Sequence, residues 1–472
     1  PMTQGIPAQQ PDVYFSELGP WAWYPRSPWL DRFGSRVSLH LPRFMRGVAP
    51  GNLVEEREEK DGWHFTYEEP SGVRNLTVVV GDLVKSKDSD QGTGPRIITW
   101  FGSTEQDMLP NSAKGIRGLL EFIQGIWGPY PYTTLHVVEN MPYPANNWSF
   151  SNDGRAGAWS CVPPGQVHPW QGLAEGPSGM LLGSSRTTAP ARELIEGRAI
   201  DRLLLQPLES ATYNRVVDLT RQWWGHMVPP QGSQDQWVGE ALSSWTGLLW
   251  VQAGVGLGGL KERLAIMHAL MSEEADISRP LGTGERLGRR YPSQVWGRGP
   301  LVVNWLVERL GAQAFMNAMN RLVNRASGPG ITAEMLLEAV EASGGPDTAA
   351  MLRRVMEEPL LPDLTYGVAV DKATGEVVVA FGPTDSPVPL DVRVEARLGG
   401  KDREQRLFRV PSEGGLVRWS PSRKPKRVLV DPMSTSLTHS VKKVRELQLE
   451  ATAALGSGEA QDTEQDSESE EG

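Results

Sequence analysis

Two stretches of alternating, turn-punctuated sequence enclose a long block of helical periodicity. This segregation constrains the fold more than any other feature of the 472-residue chain. Up to about residue 94, Arg36–Leu41, Trp63–Tyr67 and Leu76–Val80 alternate apolar and polar positions, with Gly, Pro and Asp61-Gly62 between them. The polar run Lys85–Gly94 then makes a boundary. In the middle, a strand at Ile97–Phe101, a helix at Ala113–Trp127 and a strand at Leu135–Val138 lead into a loop rich in Pro, Gly, Asn and Trp. Helical patterns follow at Ala191–Leu205, Ala211–Met227, Trp237–Ala253, Leu260–Ser272, Leu301–Leu310, Ala312–Ala326, Ala333–Ala342 and Asp347–Glu357. Beyond Pro359, strand-length segments return at Tyr366–Val370, Glu376–Phe381, Leu390–Leu398, Arg406–Val410 and Leu416–Trp419, which predicts a small β-sandwich. The expected class is α+β, with a β domain at 1–94, a mainly helical domain at 95–357, a β-sandwich at 358–440, and a short helix with a disordered acidic tail at 441–472.

Charge and cysteine usage narrow the function classes. Lys+Arg 47 against Asp+Glu 57 gives a net charge of −10, and the segment Glu459–Gly472 accounts for seven of those ten charges. The remaining body is close to balanced and lacks the basic footprint of a nucleic-acid binder. The single cysteine, Cys161, excludes an internal disulfide framework and a cysteine-rich zinc module. The N-terminus has neither the basic nor the apolar region of a signal peptide, so a cytoplasmic location is expected. Ala241–Leu260 carries no charge and has the length of a membrane span. Its five glycines and its polar Ser243, Ser244 and Gln252 fit a buried helix ending in a glycine-rich loop better, so no span is expected. Excision from a larger, membrane-associated assembly is a further possibility.

The informative segment runs Val217-Asp218-Leu219-Thr220-Arg221-Gln222-Trp223-Trp224-Gly225, followed by Gln236-Trp237-Val238-Gly239-Glu240-Ala241. It resembles the gluzincin aminopeptidases, the family of aminopeptidase N and leukotriene hydrolase. In that family a His-Glu-x-x-His-Gln-Trp-Trp/Phe-Gly run precedes a glutamate in Trp-Leu-x-Glu-Gly. Here eighteen residues separate Arg221 from Glu240, as in the family. Gly128-Pro129-Tyr130-Pro131-Tyr132 is similar to the Gly-x-Tyr-Pro-Tyr segment, and Trp296-Gly297-Arg298-Gly299 stands where the family has Tyr-x-Lys-Gly. The resemblance spans roughly residues 20 to 440. It implies a partial N-terminal β domain, a thermolysin-like helical domain and a C-terminal β-sandwich.

It also implies a zinc site that this sequence does not reproduce. In His-Glu-x-x-His, two histidines one helical turn apart hold zinc, the first glutamate activates water, and a glutamate on the next helix is the third ligand. Val217 and Arg221 take the histidine positions, Asp218 replaces the general base, and Glu240 alone survives. Valine has no donor atom and arginine stays protonated. A cation at 221 would also oppose a dication by on the order of 8 kcal/mol at about 4 Å and an effective dielectric of about 20. Zinc is therefore expected to be absent and no metal ligand is assigned. Arg221 is expected to sit as a built-in cation between Asp218 and Glu240, the alternative being that it turns to solvent. The family's tyrosine that stabilises the tetrahedral intermediate corresponds to Trp296. Its amine-binding acid corresponds to Ser160, if Gly157-Ala158-Trp159-Ser160-Cys161 aligns with Gly-Ala-Met-Glu-Asn.

The expected function is that of a non-catalytic pseudo-aminopeptidase, a scaffold that binds a protein or peptide partner. The alternative is an active hydrolase with an atypical metal site, for instance His226 with Glu240, or with metal-free chemistry. Trp223, Trp224 and Trp237 are expected to be core packing. The seven histidines show no pair at i,i+4, and no Gly-x-Ser-x-Gly elbow offers another nucleophile.

Overall fold

The computed structural model describes residues 13–17, 32–73, 78–85, 94–102, 109–138, 166–167, 209–273, 280–282, 292–358 and 361–457. Helices and several sheets are both present, and the chain divides into two units. The first comprises residues 1–303 and 316–339, the second 304–315 and 340–472.

In the first unit, β1 (Val13–Glu17), β6 (Val78–Gly81) and β3 (Arg46–Val48) form one sheet. A second sheet has the order β2 (Phe33–Pro42), β5 (Gly62–Val73), β4 (Asn52–Glu58), all antiparallel. The alternation read in the sequence turns Val37, Phe65 and Tyr67 into one apolar cluster with Val78 and Val80. Of the strand expected at Leu76–Val80, Val78–Val80 lie in β6; residues 76 and 77 lie outside the described residues.

A third sheet contains β7 (Leu83–Lys85), β8 (Arg96–Gly102), β9 (Thr134–Val138) and β10 (Gln166–Val167). β8 and β9 are parallel, joined through α1 (Leu109–Trp127), as a parallel pair requires a crossover. His136 is a satisfied core histidine here: Trp100 Nε1 donates to its Nδ1 at 3.1 Å, and its Nε2 lies 2.8 Å from the Gly51 carbonyl.

The helical part holds α2 (Glu209–Thr220), α3 (Gln236–Val255), α4 (Leu257–Glu273), α5 (Gly299–Leu310), α6 (Ala312–Ala326) and α7 (Ala333–Glu357). The boundary between the units runs through α5, α6 and α7. The single helix expected over Ala211–Met227 is instead α2 followed by a π-helical turn at Gln222–Met227, in which Trp224 and Gly225 leave helical dihedrals. The uncharged run forms α3, apolar around most of its circumference because it is buried from Trp237 to Leu248. The glycine-rich loop expected after it shrinks to one residue: Gly256 adopts φ 79° and α4 starts at Leu257. The two helices expected at Ala333–Ala342 and Asp347–Glu357 meet at Gly345 (φ 75°) and Pro346 inside α7. No helix among the described residues is long and apolar enough to cross a membrane.

The second unit carries two sheets. One has the order β15 (Gly415–Trp419), β12 (Val377–Phe381), β11 (Asp363–Val370), β17 (Ser440–Lys443). The other has β14 (Asp402–Val410), β13 (Leu390–Gly399), β16 (Arg427–Val430). Where the short helix is expected from residue 441, the chain first forms the strand β17, parallel to β11, and then α8 (Arg445–Ser457). Ala451 and Ala454 of α8 pack on Ala369, Val378 and Ala380, which explains why β12 is buried throughout.

Two glycines on α3 set its approach to the segment before it. A Cβ at Gly247 would stand 2.5 Å from the Tyr213 ring and 3.0 Å from Val217 Cγ2; one at Gly239 would stand 2.6 Å from the Trp224 carbonyl oxygen. Gly247→Ala is expected to lower stability by about 1–3 kcal/mol through overpacking. Gly254→Ala, on the same helix with nothing within 4 Å, is expected to raise it by about 0.5–1 kcal/mol. Urea unfolding of the two variants reads the opposite signs.

Candidate functional site

The site is built where α2 runs into the π-helical turn and α3 crosses it. The Arg221 amide still donates to the Val217 carbonyl at 3.1 Å, so positions 217 and 221 stand one helical turn apart. The His226 amide then donates to the Arg221 carbonyl at 3.1 Å, an i→i+5 bond that widens the chain at this point. Asp218 and Arg221, at i and i+3, share one side of this segment. Gly239 lets α3 come down on the Trp224 carbonyl, which brings Glu240, the next residue, opposite Arg221.

All three charged groups are buried: Asp218 is 5% exposed, Arg221 8% and Glu240 6%. Arg221 Nε donates to Glu240 Oε1 at 3.1 Å and its Nη2 to Glu240 Oε2 at 2.7 Å, a two-pronged contact that uses both carboxylate oxygens. Arg221 Nη1 donates to Asp218 Oδ1. Trp296, in the helical turn before α5, donates its indole N–H to Glu240 Oε2 at 3.3 Å. The structure thus brings together Asp218, Arg221, Glu240 and Trp296. Val217 is buried against α3 at Gly247, and Ser160 lies outside the described residues, as do Trp159 and Cys161.

Burial pushes the Asp218 carboxyl up to about 6; Arg221 pulls it the other way and Glu240 adds to the rise. Arg215, also on α2 and 3% exposed, lies close enough to lower it further, and burial holds that guanidinium down at about 10. Two carboxylates therefore face two guanidinium groups. Tyr213 beneath them has its phenol raised by burial, and Arg263 stacks 4.5 Å over its ring. Neither Arg215 nor Tyr213 was singled out from the sequence. The i−3 offset of Arg215 from Asp218 was the available signal.

An aromatic shell holds the turn. Trp127 meets Trp224 edge-on at 5.1 Å and donates to Thr246 Oγ1 at 2.9 Å. Tyr130 meets Trp223 at 5.5 Å and donates to Gln222 Oε1 at 3.3 Å, and Trp223 Nε1 donates to the Pro129 carbonyl at 3.1 Å. Gly128–Tyr132 and Gln222–Trp224, two segments distant in sequence, are one packed unit. Trp223, Trp224 and Trp237 are buried in it at 0%, 1% and 1% exposure.

No family model and no curated protein matches the chain. Among solved structures it is similar to an M1 zinc metallopeptidase from Deinococcus radiodurans, at 19% identity over 70% of this chain and 64% of that one, with a TM-score of 0.46. A glutamate-to-alanine mutant of the M1 zinc metallopeptidase from Deinococcus radiodurans, bound to a Tyr-Ser-Ala substrate, gives a TM-score of 0.47 at 19% identity over the same shares. A two-domain M1 zinc metallopeptidase mutant bound to L-tryptophan gives 0.48, at 19% identity, 70% of this chain and 64% of that one. The chain thus spans less than two thirds of the length of these structures. Overlaps of this extent leave the chemistry of the site to be read from its own residues.

Two outcomes are expected of the cluster. Arg221→Met leaves two buried carboxylates without their shared donor and should cost about 3–5 kcal/mol in urea unfolding. Adding Asp218→Leu and Glu240→Met should recover most of that loss. The second concerns pH. The Asp218 carboxyl sits near 6 in the fold against about 3.9 for an ordinary aspartate, so the native state binds the proton more tightly. Its contribution to stability is therefore full below about 4 and is lost as pH rises through 6, by on the order of 3 kcal/mol. The stability of the parent relative to Asp218→Asn should fall between those limits; a flat difference would show an Asp218 that titrates alike in both states.

Proposed function

We propose that the chain is a non-catalytic relative of the gluzincin aminopeptidases, retaining their architecture as a protein- or peptide-binding scaffold. The observation that carries this reading is the Arg221 guanidinium lodged between Asp218 and Glu240. The donor set does not fit zinc. Both Glu240 oxygens are engaged by Arg221, Val217 offers no lone pair, and a guanidinium cannot give up its proton to become a ligand. An ion placed there would meet a fixed positive charge before it met a ligand. Trp296 bonds to Glu240 and brings an N–H but no ionisable hydroxyl to the position of the family's tyrosine.

The three-part organisation of the chain and the concave cleft of that family remain part of the proposal. A peptide or protein loop seated in such a cleft is the partner class that it favours. A metal-free hydrolase is the second reading, and one observation favours it: the Asp218 carboxyl near 6 lies in the range of a general acid. Its burial and its bond to Arg221 place it among groups that neutralise one another rather than facing a substrate.

Restoration separates the readings. Val217→His, Asp218→Glu and Arg221→His together should let the protein take up one more equivalent of zinc than the parent, measured by mass spectrometry of the metal. Glu240→Gln in that background should abolish the gain. The parent should not hydrolyse aminoacyl-nitroanilides. Turnover by the parent that Asp218→Asn removes would establish the hydrolase reading and end this one.

A further inference from the structure

We propose that His40, His64 and Glu59 form a binding site for a zinc-type divalent ion on the N-terminal β-sheet, separate from the Arg221 cluster. Among the described residues this is the one group of three metal-capable side chains whose ligand atoms all lie within 4.8 Å of one another.

The sheet makes the site. His40 on β2 and His64 on β5 are direct partners in the antiparallel register, so both rings project from one face. A tight turn follows β4, with the Glu59 amide donating to the Gly62 carbonyl at 2.8 Å, and it sets Glu59 beside them. His64 Nδ1 stands 3.3 Å from His40 Nδ1, and His40 Nδ1 stands 3.7 Å from Glu59 Oε2. Two ring nitrogens bound at roughly 2.0–2.1 Å to one tetrahedral zinc are about 3.3–3.4 Å apart, so the rings already have the separation that an ion requires. The carboxylate, within 4.8 Å of both rings, has to move closer to share the ion.

The surroundings orient these ligands. His64 Nε2 lies 3.0 Å from Thr66 Oγ1 and 3.5 Å from Glu55 Oε2. A proton on that nitrogen is held there, which leaves the Nδ1 lone pair facing His40. Arg57 binds Glu59 Oε1 at 2.7 Å and Glu55 Oε1 at 3.3 Å, so it engages the Glu59 oxygen that the ion does not use. Glu55 and Glu59 against Arg57 leave a net negative charge beside the rings. Two imidazoles and one carboxylate suit zinc, nickel or copper rather than the oxygen-seeking magnesium or calcium. The His40 side chain is 65% exposed, which leaves the ion's outer face open to water or to a ligand from a partner.

His64 Nδ1 is also 3.1 Å from His40 Nε2, the distance of an ordinary ring-to-ring hydrogen bond, and the test must separate the two arrangements. The tag-free full chain is dialysed against zinc chloride at about pH 7.5, where imidazole is neutral, and bound zinc is counted. One equivalent is expected, and magnesium should not displace it. His40→Ala, at an exposed strand position, should weaken binding by at least about tenfold, as should the more buried His64→Ala. Glu59→Gln should weaken it by a smaller factor, and Glu240→Gln should leave it unchanged. No binding up to about 100 µM zinc, or an equivalent indifferent to His40→Ala, would overturn the site. An equivalent lost with Glu240→Gln instead would overturn both this site and the scaffold reading.

Discussion

A guanidinium shared by two buried carboxylates is the constraint around which the centre of the first unit is arranged. Removing Asp218 and Glu240 from water is unfavourable, and Arg221 offsets that by meeting Glu240 with two parallel N–H donors and Asp218 with a third. The compensation is incomplete. Burial still outweighs Arg221 at Asp218, whose carboxyl stays near 6, and Arg215 supplies a second positive charge from the same helix. Position then follows from charge. Glu240 has to lie opposite Arg221, so α3 must approach the π-helical turn closely, and the absence of side chains at Gly239 and Gly247 is what permits it.

The aromatic shell around the cluster is held by contacts of its own. Trp127 meets Trp224 and Tyr130 meets Trp223 edge to face, and Trp127, Trp223 and Tyr130 satisfy their polar atoms on Thr246, Pro129 and Gln222, none of which is charged. Aromatic pairs of this kind contribute through buried area and ring geometry. Such a shell can hold two helices in register while the side chains between them change, so the fold can outlast a particular chemistry.

The sequence made the i,i+3 relation of Asp218 and Arg221 legible, and the resemblance supplied the facing helix that carries Glu240. The π-helical turn was not legible. Widening the turn at Gln222–Met227 changes no residue type, and the switch to i→i+5 bonding shows only in backbone atoms. β17 was hidden in a similar way. Four residues, Ser440–Lys443, gain their strand character from parallel pairing with β11, whose paired residues stand 77 positions earlier, while the helix behind them dominates the local pattern. The break in α7 was visible because Gly345 and Pro346 interrupt a helix by their own backbone chemistry.

The histidines show the same limit from the other side. Scanning for partners one helical turn apart finds none, because His40 and His64 meet across strands that are not consecutive in the chain, with β3 and β4 between them. Their register is fixed by the alternation that buries Val37, Phe65 and Tyr67; a slip of one residue in either strand would turn its ring to the other face, away from its partner. A core requirement thus places two polar rings side by side without any local signal of that intent. At Arg221 the arrangement is reversed. There the charged groups are buried, and packing has to accommodate them. The two clusters differ in what fixes them: hydrophobic register decides the first, and electrostatic compensation decides the second.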